Sequence, residues 1–345
     1  MAQGLLCRCH SRSCVRMELS ELCTIITTTS PTPSNPATEL ICSTLESLEE
    51  FVPELLQCRH IVVCDGYRLA NDSKFRSGIV TQERAKAYEQ YVASLEIFTK
   101  TRPSPVWESV EVLRLVERQG FGFAVRAALE LVRTPFVFVM QHDRTFLRGF
   151  PHVLSLLKGM LQNPCLKMVG LPTTTNDPTR YVIQAVSRLG QMKVVHPPFE
   201  SLVVTSSECP SLRFIPMIMW HDSTHFAFTT YYREFVFGRR HLVTRGGFIE
   251  DKLGQQQGMD LRSIGWSSHE QYGTYLLDDG ALAPARMVGH LDGKRYLRQE
   301  ARIALEASER AKASMSAHAD SDSHGPVVDE ITRACSCYRH CHGGS

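Results

Sequence analysis

The chain predicts an α/β fold: a mostly parallel sheet with helices over both faces. Three observations carry that expectation. Short runs such as Ile61-Val-Val-Cys64 and Phe136-Val-Phe-Val-Met140 are apolar at every position, as strands covered on both faces are. Stretches of helical spacing lie between them. Strand and helix alternate over roughly 150 residues, the pattern of parallel sheets rather than of sandwiches or bundles.

The elements follow in order. Order is expected to begin at Leu22, where Leu22-Cys-Thr-Ile-Ile-Thr-Thr reads as a buried strand, ending in Ser30-Pro-Thr-Pro. Leu40, Leu45, Leu48, Phe51 and Val52 recur at helical spacing. Ile61–Cys64 is the second strand and stops at Asp65-Gly66, an ordinary turn pair. Residues 81–100 read as a helix, and Val110–Val116 as a third strand. Gly120-Phe-Gly122 opens an Ala-rich helix that ends at Val132, before Pro135. Phe136–Met140 is the clearest strand. Leu154–Leu161 reads as a helix and Met168–Leu171 as a strand. The stretch Pro172–Ser211 is rich in Thr, Pro and Ser and predicts long loops. Arg213–Trp220 reads as a strand, Phe248–Gln257 as the opening of a helix, Tyr272–Leu277 as a strand and Leu297–Ala313 as a closing helix.

Composition removes several function classes. Lys plus Arg number 38 against 36 Asp plus Glu, so no basic surplus points to nucleic acid. No apolar run reaches the length of a membrane-spanning helix. Cys42, Cys58, Cys64 and Cys165 stand singly in apolar segments, where a free thiol packs as a small hydrophobe. That distribution favours a reducing, cytoplasmic setting. The basic start also leaves organelle targeting open. The expected organisation is a flexible N-terminus over 1–21, one domain over 22–313, and a disordered tail over 314–345. The tail's Cys335, Cys337, Cys341 and His342 lack the paired spacing of zinc knuckles.

Three acidic positions fall where chemistry is expected. In parallel sheets, ligands lie beyond the carboxyl ends of the strands. Asp65 ends the second strand, and Gln141-His142-Asp143 follows the Phe136 strand. Glu250-Asp251 follows Gly246-Gly-Phe-Ile. Carboxylates are hard oxygen ligands for Mg²⁺ or Mn²⁺, and a free one can take a proton from an attacking hydroxyl.

The order of these segments resembles the GT-A-fold glycosyltransferases, closest to inverting family 2, over residues 22–295. The resemblance implies a GT-A-like, Rossmann-like domain using a nucleotide-diphosphate sugar. The opening Ile25-Ile-Thr-Thr-Thr-Ser-Pro matches that family's first strand and loop. It places Thr29, Asp65, Gln141 and His142 on the donor side. The strand that ends in Asp-x-Asp in the family ends here in Gln141-His142-Asp143, so the first Asp is replaced by Gln. The last, Asp143, keeps the implied metal role for Mn²⁺ or Mg²⁺, with His290 of Val288-Gly-His-Leu-Asp joining it. Gly247-Phe-Ile-Glu250-Asp251 matches the family's x-Glu-Asp. It implies Asp251 as general base, with Glu250 as the second candidate, in a metal-dependent, inverting transfer. The acceptor is an unspecified glycan, lipid or protein.

Rival readings stay open beside this one. Gln141 motivates a catalytically degenerate domain that binds nucleotide or glycan. His142-Asp143 and His221-Asp222 suggest a metal phosphohydrolase, but the first pair ends a strand rather than sitting on a helix. A nucleotidyltransferase would carry Gly and Lys in its first loop, and Thr27–Pro36 has neither. His221 and His225 are at i, i+4, the spacing of a metal pair on a helix. They are expected at another strand end, beside the acceptor. Arg126, Arg233, Arg239 and Arg240 are expected on a solvated face. Gly120-x-Gly122 lacks the third Gly of a dinucleotide fingerprint.

Overall fold

The computed structural model describes residues 17–238, 242–281 and 286–291. The expectations for the basic start, the closing helix, the Cys-rich tail, Arg239 and Arg240 fall outside those residues. Among the described residues, nine strands form one sheet. They are β1 (Cys23–Thr29), β2 (Arg59–Cys64), β3 (Val110–Arg114), β4 (Phe136–Gln141), β5 (Met168–Gly170), β6 (Val204–Thr205), β7 (Arg213–Pro216), β8 (His225–Phe228) and β9 (Thr274–Asp278). Their order is β3-β2-β1-β4-β8-β5-β9-β7-β6. β1 to β4 pair in parallel. β8 opposes both β4 and β5, and β7 opposes β9 and β6. β5 and β9 are parallel. Seven strands therefore share one direction, and the expected mostly parallel sheet is present.

The side-chain period of two explains the layers. Ile25, Val62 and Phe138 point to one face and join a core with Leu45, Leu48, Tyr88, Leu95 and Leu157. These come from the helices α1 (Glu39–Phe51), α2 (Gln82–Thr101) and α4 (Val153–Gln162). Ile26, Val63, Val137 and Val139 point to the other face. There they meet α3 (Phe121–Leu129), α5 (Pro178–Gln191) and α6 (Gln255–Ser263). β1 is buried along its whole length, which is why its sequence shows no polar alternation.

Several elements differ from the expectation. The stretch read as loops holds α5, fourteen residues long. Its start signals are present: Asp177 Oδ1 accepts from Arg180 N at 3.2 Å, and Pro178 fills the first position. Tyr181, Ala185 and Leu189 form its buried stripe. The Arg213 strand stops at Pro216, because Met217–Thr224 turns away to reach β8. β8 was not expected at all. It begins at His225, so His221 and His225 are not on one helix and do not form a metal pair. The fold also starts before Leu22: Leu19–Leu22 is a helical turn with Leu19 and Leu22 buried. No described helix is long and apolar enough to cross a membrane. Cys42, Cys58 and Cys64 are free and buried, as single apolar thiols are expected to be, whereas Cys165 is free but only half-buried.

Candidate active site

Parallel register brings the strand ends together. Thr29 lies opposite Cys64, and Thr28 opposite Gln141. The residues that follow β2 and β4 therefore emerge beside the end of β1. A cleft of about 550 Å³, counted to its open mouth, lies there. Thr28, Thr29, Asp65, Gln141 and His142 line it, and Gly120, Phe121 and Phe248 line it too.

Asp65 is 6% exposed, and both its oxygens are engaged. Oδ1 accepts from Gln119 N at 2.7 Å and Oδ2 from Gly120 N at 2.8 Å. Burial raises its pKa above the usual carboxylate value, against the pull of these amides and that of Gly66. Asp65 thus ties the loop before α3 to the end of β2. That loop is crowded. Gly120 has φ +77°, and a Cβ there would lie 2.5 Å from Gly246 Cα. Gly246 N donates to Gln119 O at 2.6 Å. Phe121 and Phe248 stack with centroids 5.7 Å apart. Thr29 Oγ1 is bonded to Tyr91 Oη at 2.9 Å, so its hydroxyl is held inside the fold.

Asp143 lies just past β4, where His142 N donates to Thr28 O at 3.0 Å. Its Oδ2 is 3.1 Å from His290 Nε2. Its Oδ1 is buried with no hydrogen-bond partner. His142 Nδ1 is likewise buried and unpartnered. Burial raises the Asp143 pKa, but the His290 bond, His142 and Arg144 outweigh it and hold the carboxyl below its ordinary value. Burial lowers the His142 pKa. His290 reaches Asp143 across 147 positions because the backbone lays its segment there. Leu147 N donates to Met287 O at 2.9 Å, Gly289 N to Thr145 O at 2.8 Å, and Leu291 N to Asp143 O at 2.8 Å.

A second network joins β4 to the turn before α6. Gln141 Nε2 donates to Asp222 O at 2.9 Å. Asp222 N donates to Glu250 Oε2 at 3.0 Å, and Glu250 N donates back to Asp222 Oδ2 at 3.1 Å. Trp220 Nε1 donates to Asp222 Oδ1 at 2.8 Å. Burial, and then the Glu250 carboxylate, push the Asp222 pKa well above the usual range. Glu250 is turned into this network. Asp251 is exposed and holds no hydrogen bond or ion pair among the described residues.

The structure thus brings Thr29, Asp65, Gln141 and His142 to one cleft and pairs Asp143 with His290. It places Glu250 one hydrogen bond from Asp222 and leaves Asp251 free. Asp222 was missed as a connecting residue; its pairing with Glu250 spans 28 positions and leaves no local signal. His225 is buried against Tyr232 Oη at 2.6 Å, so it packs inside rather than facing a ligand.

No family model matches the chain, and no curated protein matches it. Solved structures do. The chain is similar to S. aureus TarS 1-349 in complex with UDP-GlcNAc, at 12% identity and a TM-score of 0.41, over 79% of this chain and 58% of that one. It is similar to the mannosyltransferase PcManGT from Pyrobaculum calidifontis in complex with GDP-Man and Mn²⁺, at 13% identity and a TM-score of 0.39, over 88% and 65%. The chain thus spans about three fifths of the length of the chains it matches.

Proposed function

We propose that the chain is a GT-A-type glycosyltransferase that moves a sugar from a nucleotide-diphosphate donor to an acceptor hydroxyl. The observation that carries this reading is the Asp143 carboxylate. It lies one residue past His142, which is in the wall of the strand-end cleft. One oxygen is buried with no hydrogen bond, the Arg144 guanidinium 4.0 Å away, and the other meets His290.

Those two residues fit a hard divalent cation, Mg²⁺ or Mn²⁺. An unpartnered buried carboxylate oxygen is costly unless something positive occupies it. Among the described residues no group of three or more His, Cys, Asp or Glu could hold a metal. Two protein ligands suffice where substrate phosphates and water fill the other positions. Asp143 and His290 would hold the cation, which would supply charge neutralisation for the departing diphosphate.

The chain's own residues supply the rest. Asp65 holds the Gln119-Gly120 loop against the cleft and lends its remaining lone pairs to the nucleoside. Thr29, Gln141 and His142 complete the donor wall. Asp251, exposed and without a partner among the described residues, takes the proton of the acceptor hydroxyl. That oxygen bonds to the anomeric carbon as the bond to the diphosphate breaks on the opposite face, giving inversion. Glu250, tied to Asp222, fixes the turn that carries Asp251. Positioning of this kind is a large share of the barrier reduction.

The test is thermal stability against a panel of nucleoside diphosphates, with and without Mn²⁺. At a hundredfold excess over Kd, a ligand stabilises the folded state by about 2.7 kcal/mol. The expected result is a Mn²⁺-dependent shift with one nucleotide that Asp143→Ala removes. A shift that ignores Mn²⁺, with no turnover, would favour a degenerate binding module. No shift with any nucleotide, in folded protein, would refute both.

A further inference from the structure

A second cleft, outside the strand-end site, lies between α5, α6 and the Ile218-Met219 segment, and nothing so far gives it a role. It measures about 1020 Å³ to its open mouth. Two cations line it, Arg188 from α5 and Arg262 from α6. Ile218, Met192, Met219 and Met259 line it beside them.

Neither arginine has an acidic partner among the described residues. The acid closest in sequence to Arg262 is Asp260, and its carboxylate is committed elsewhere. It accepts from Tyr272 Oη at 2.6 Å, Gln271 Nε2 at 3.1 Å and Gln256 Nε2 at 2.7 Å. No acid lines the cleft. Each arginine sits in the last turn of its helix, where a cation complements the carbonyl end. That accounts for each charge singly. It does not account for two of them converging on one apolar cleft. The field reaches inward too: burial, and then Arg188, lower the His221 pKa to about 4.

The wall of the cleft is held rigidly. Ile218 N donates to Tyr181 Oη at 2.9 Å. Met217 O accepts from Gln257 Nε2 at 2.7 Å and from Thr274 Oγ1 at 3.0 Å. The opposite wall keeps open space. Gly258 sits inside α6, where Gly costs about 1 kcal/mol relative to Ala. A Cβ there would meet nothing within 4 Å, so no packing demands glycine. An open cleft does.

The cleft also connects to the proposed base. Gln255, Gly258, Met259 and Arg262 line it along α6, at the spacing of one helix face. Asp251 lies one turn upstream of Gln255 and is exposed. On the other side, Met219 is three residues from Asp222, which holds Glu250. Phe248 lines the first cleft and Gln255 the second, so the Glu250–Gly254 turn lies between them along the chain.

We infer that this cleft is the acceptor subsite, and that it takes an acceptor carrying an anionic group, phosphate or carboxylate, beside an apolar portion. The anion lies between Arg188 and Arg262, and the apolar part lies on Ile218 and the three methionines, whose flexible thioethers adapt to varied shapes. The word acceptor rests on the transferase reading; the anion site itself does not.

The test uses octyl phosphate, octanoate and neutral octyl glucoside, titrated below their micelle concentrations into the full chain without nucleotide. Octyl phosphate or octanoate is expected to bind at least about tenfold tighter than octyl glucoside, a difference of about 1.4 kcal/mol. The two anions tell phosphate from carboxylate. Arg188→Gln with Arg262→Gln should erase that preference. Gly258→Leu should fill the cleft and abolish binding while leaving the melting temperature equal or higher. Equal affinity for all three probes, no binding of either anion, or full binding by Gly258→Leu would overturn the inference. The arginine variants should keep any Mn²⁺-dependent nucleotide shift, so a failure here is distinct from a failure of the transferase reading.

Discussion

Asp65→Ala gives a sharp test of how the cleft is built. The carboxylate accepts two backbone N–H groups, from Gln119 and Gly120, at 2.7 and 2.8 Å. Gly120 N is buried, and its hydrogen bond among the described residues is to Asp65. A buried donor left unpaired costs about 1–3 kcal/mol, so two give about 2–6 kcal/mol. Removing a buried carboxylate returns part of this, since burial already disfavours its charged form. The net expectation is a loss of about 2–4 kcal/mol. Asp65→Asn should cost less, about 1–2 kcal/mol, because one oxygen still accepts while the new amide faces an N–H. Urea unfolding reads this as a lower midpoint at an unchanged slope. The loop also carries Gly120 and, through Gln119 O, holds Gly246, so any nucleotide affinity should fall together with stability. A wild-type midpoint in Asp65→Ala would refute the latch.

Asp251→Asn should bind donor like the wild type and lose turnover, measured as product formed at saturating donor; wild-type turnover would remove Asp251 from the base role. Glu250→Gln keeps an oxygen for Asp222 N, so it should fold normally, with kcat reduced less than in Asp251→Asn. Gln141→Glu should lower the melting temperature by several degrees. Acid should destabilise the fold between pH 6.5 and 4. Burial lowers the pKa of His60 to about 3 and of His225 and His269 to about 4, from 6.5. In that window the unfolded chain binds protons that the folded one refuses, so stability is lost as pH falls. Asp65 and Asp222, with raised pKa values, oppose this but are fewer. Thermal melts that stay flat from pH 6.5 to 4 would contradict the buried neutral histidines.

The parallel half was legible because its strands are buried on both faces. Nothing but apolar and Thr residues fits β1 or the interior of β4, and such runs announce themselves. The helices between them showed their spacing for the same reason. Where burial is one-sided or brief, the signal failed. β8 is four residues long and hides inside a His/Asp/Ser/Thr segment, so its chemistry drew attention away from its backbone. α5 was masked by the Thr and Pro that precede it, although Asp177-Pro178 is a helix start. In the site, each strand-end residue could be named from its place after an apolar run. The pairings could not. Asp65 with Gln119, Asp143 with His290, and Asp222 with Glu250 join segments 28 to 147 positions apart, and only the packed sheet brings them together.

Gln141 is the position where the sequence departs from the family it resembles, and its surroundings give a physical reason. Phe136, Phe138 and Met140 face one core, and Val137 and Val139 face the other. Alternation sends Gln141 to the second face, toward the Trp220–Asp222 segment. Its Nε2 donates to the Asp222 carbonyl, an acceptor that offers nothing to a carboxylate. Two acids, Asp222 and Glu250, already share that corner, and the Asp222 pKa is pushed up in part by Glu250. A third carboxylate would add like charge in a poorly solvated place and lose the one donor that ties β4 to this loop. A neutral amide donor satisfies both demands. Gln141 then holds the Asp222–Glu250 network in place, while the proposed metal role rests on Asp143, whose Oδ1 holds no hydrogen bond and has the Arg144 guanidinium, not an acid, beside it. On this argument Gln at 141 marks a change in how the site is braced, and it leaves the proposed chemistry at Asp143 and Asp251 intact.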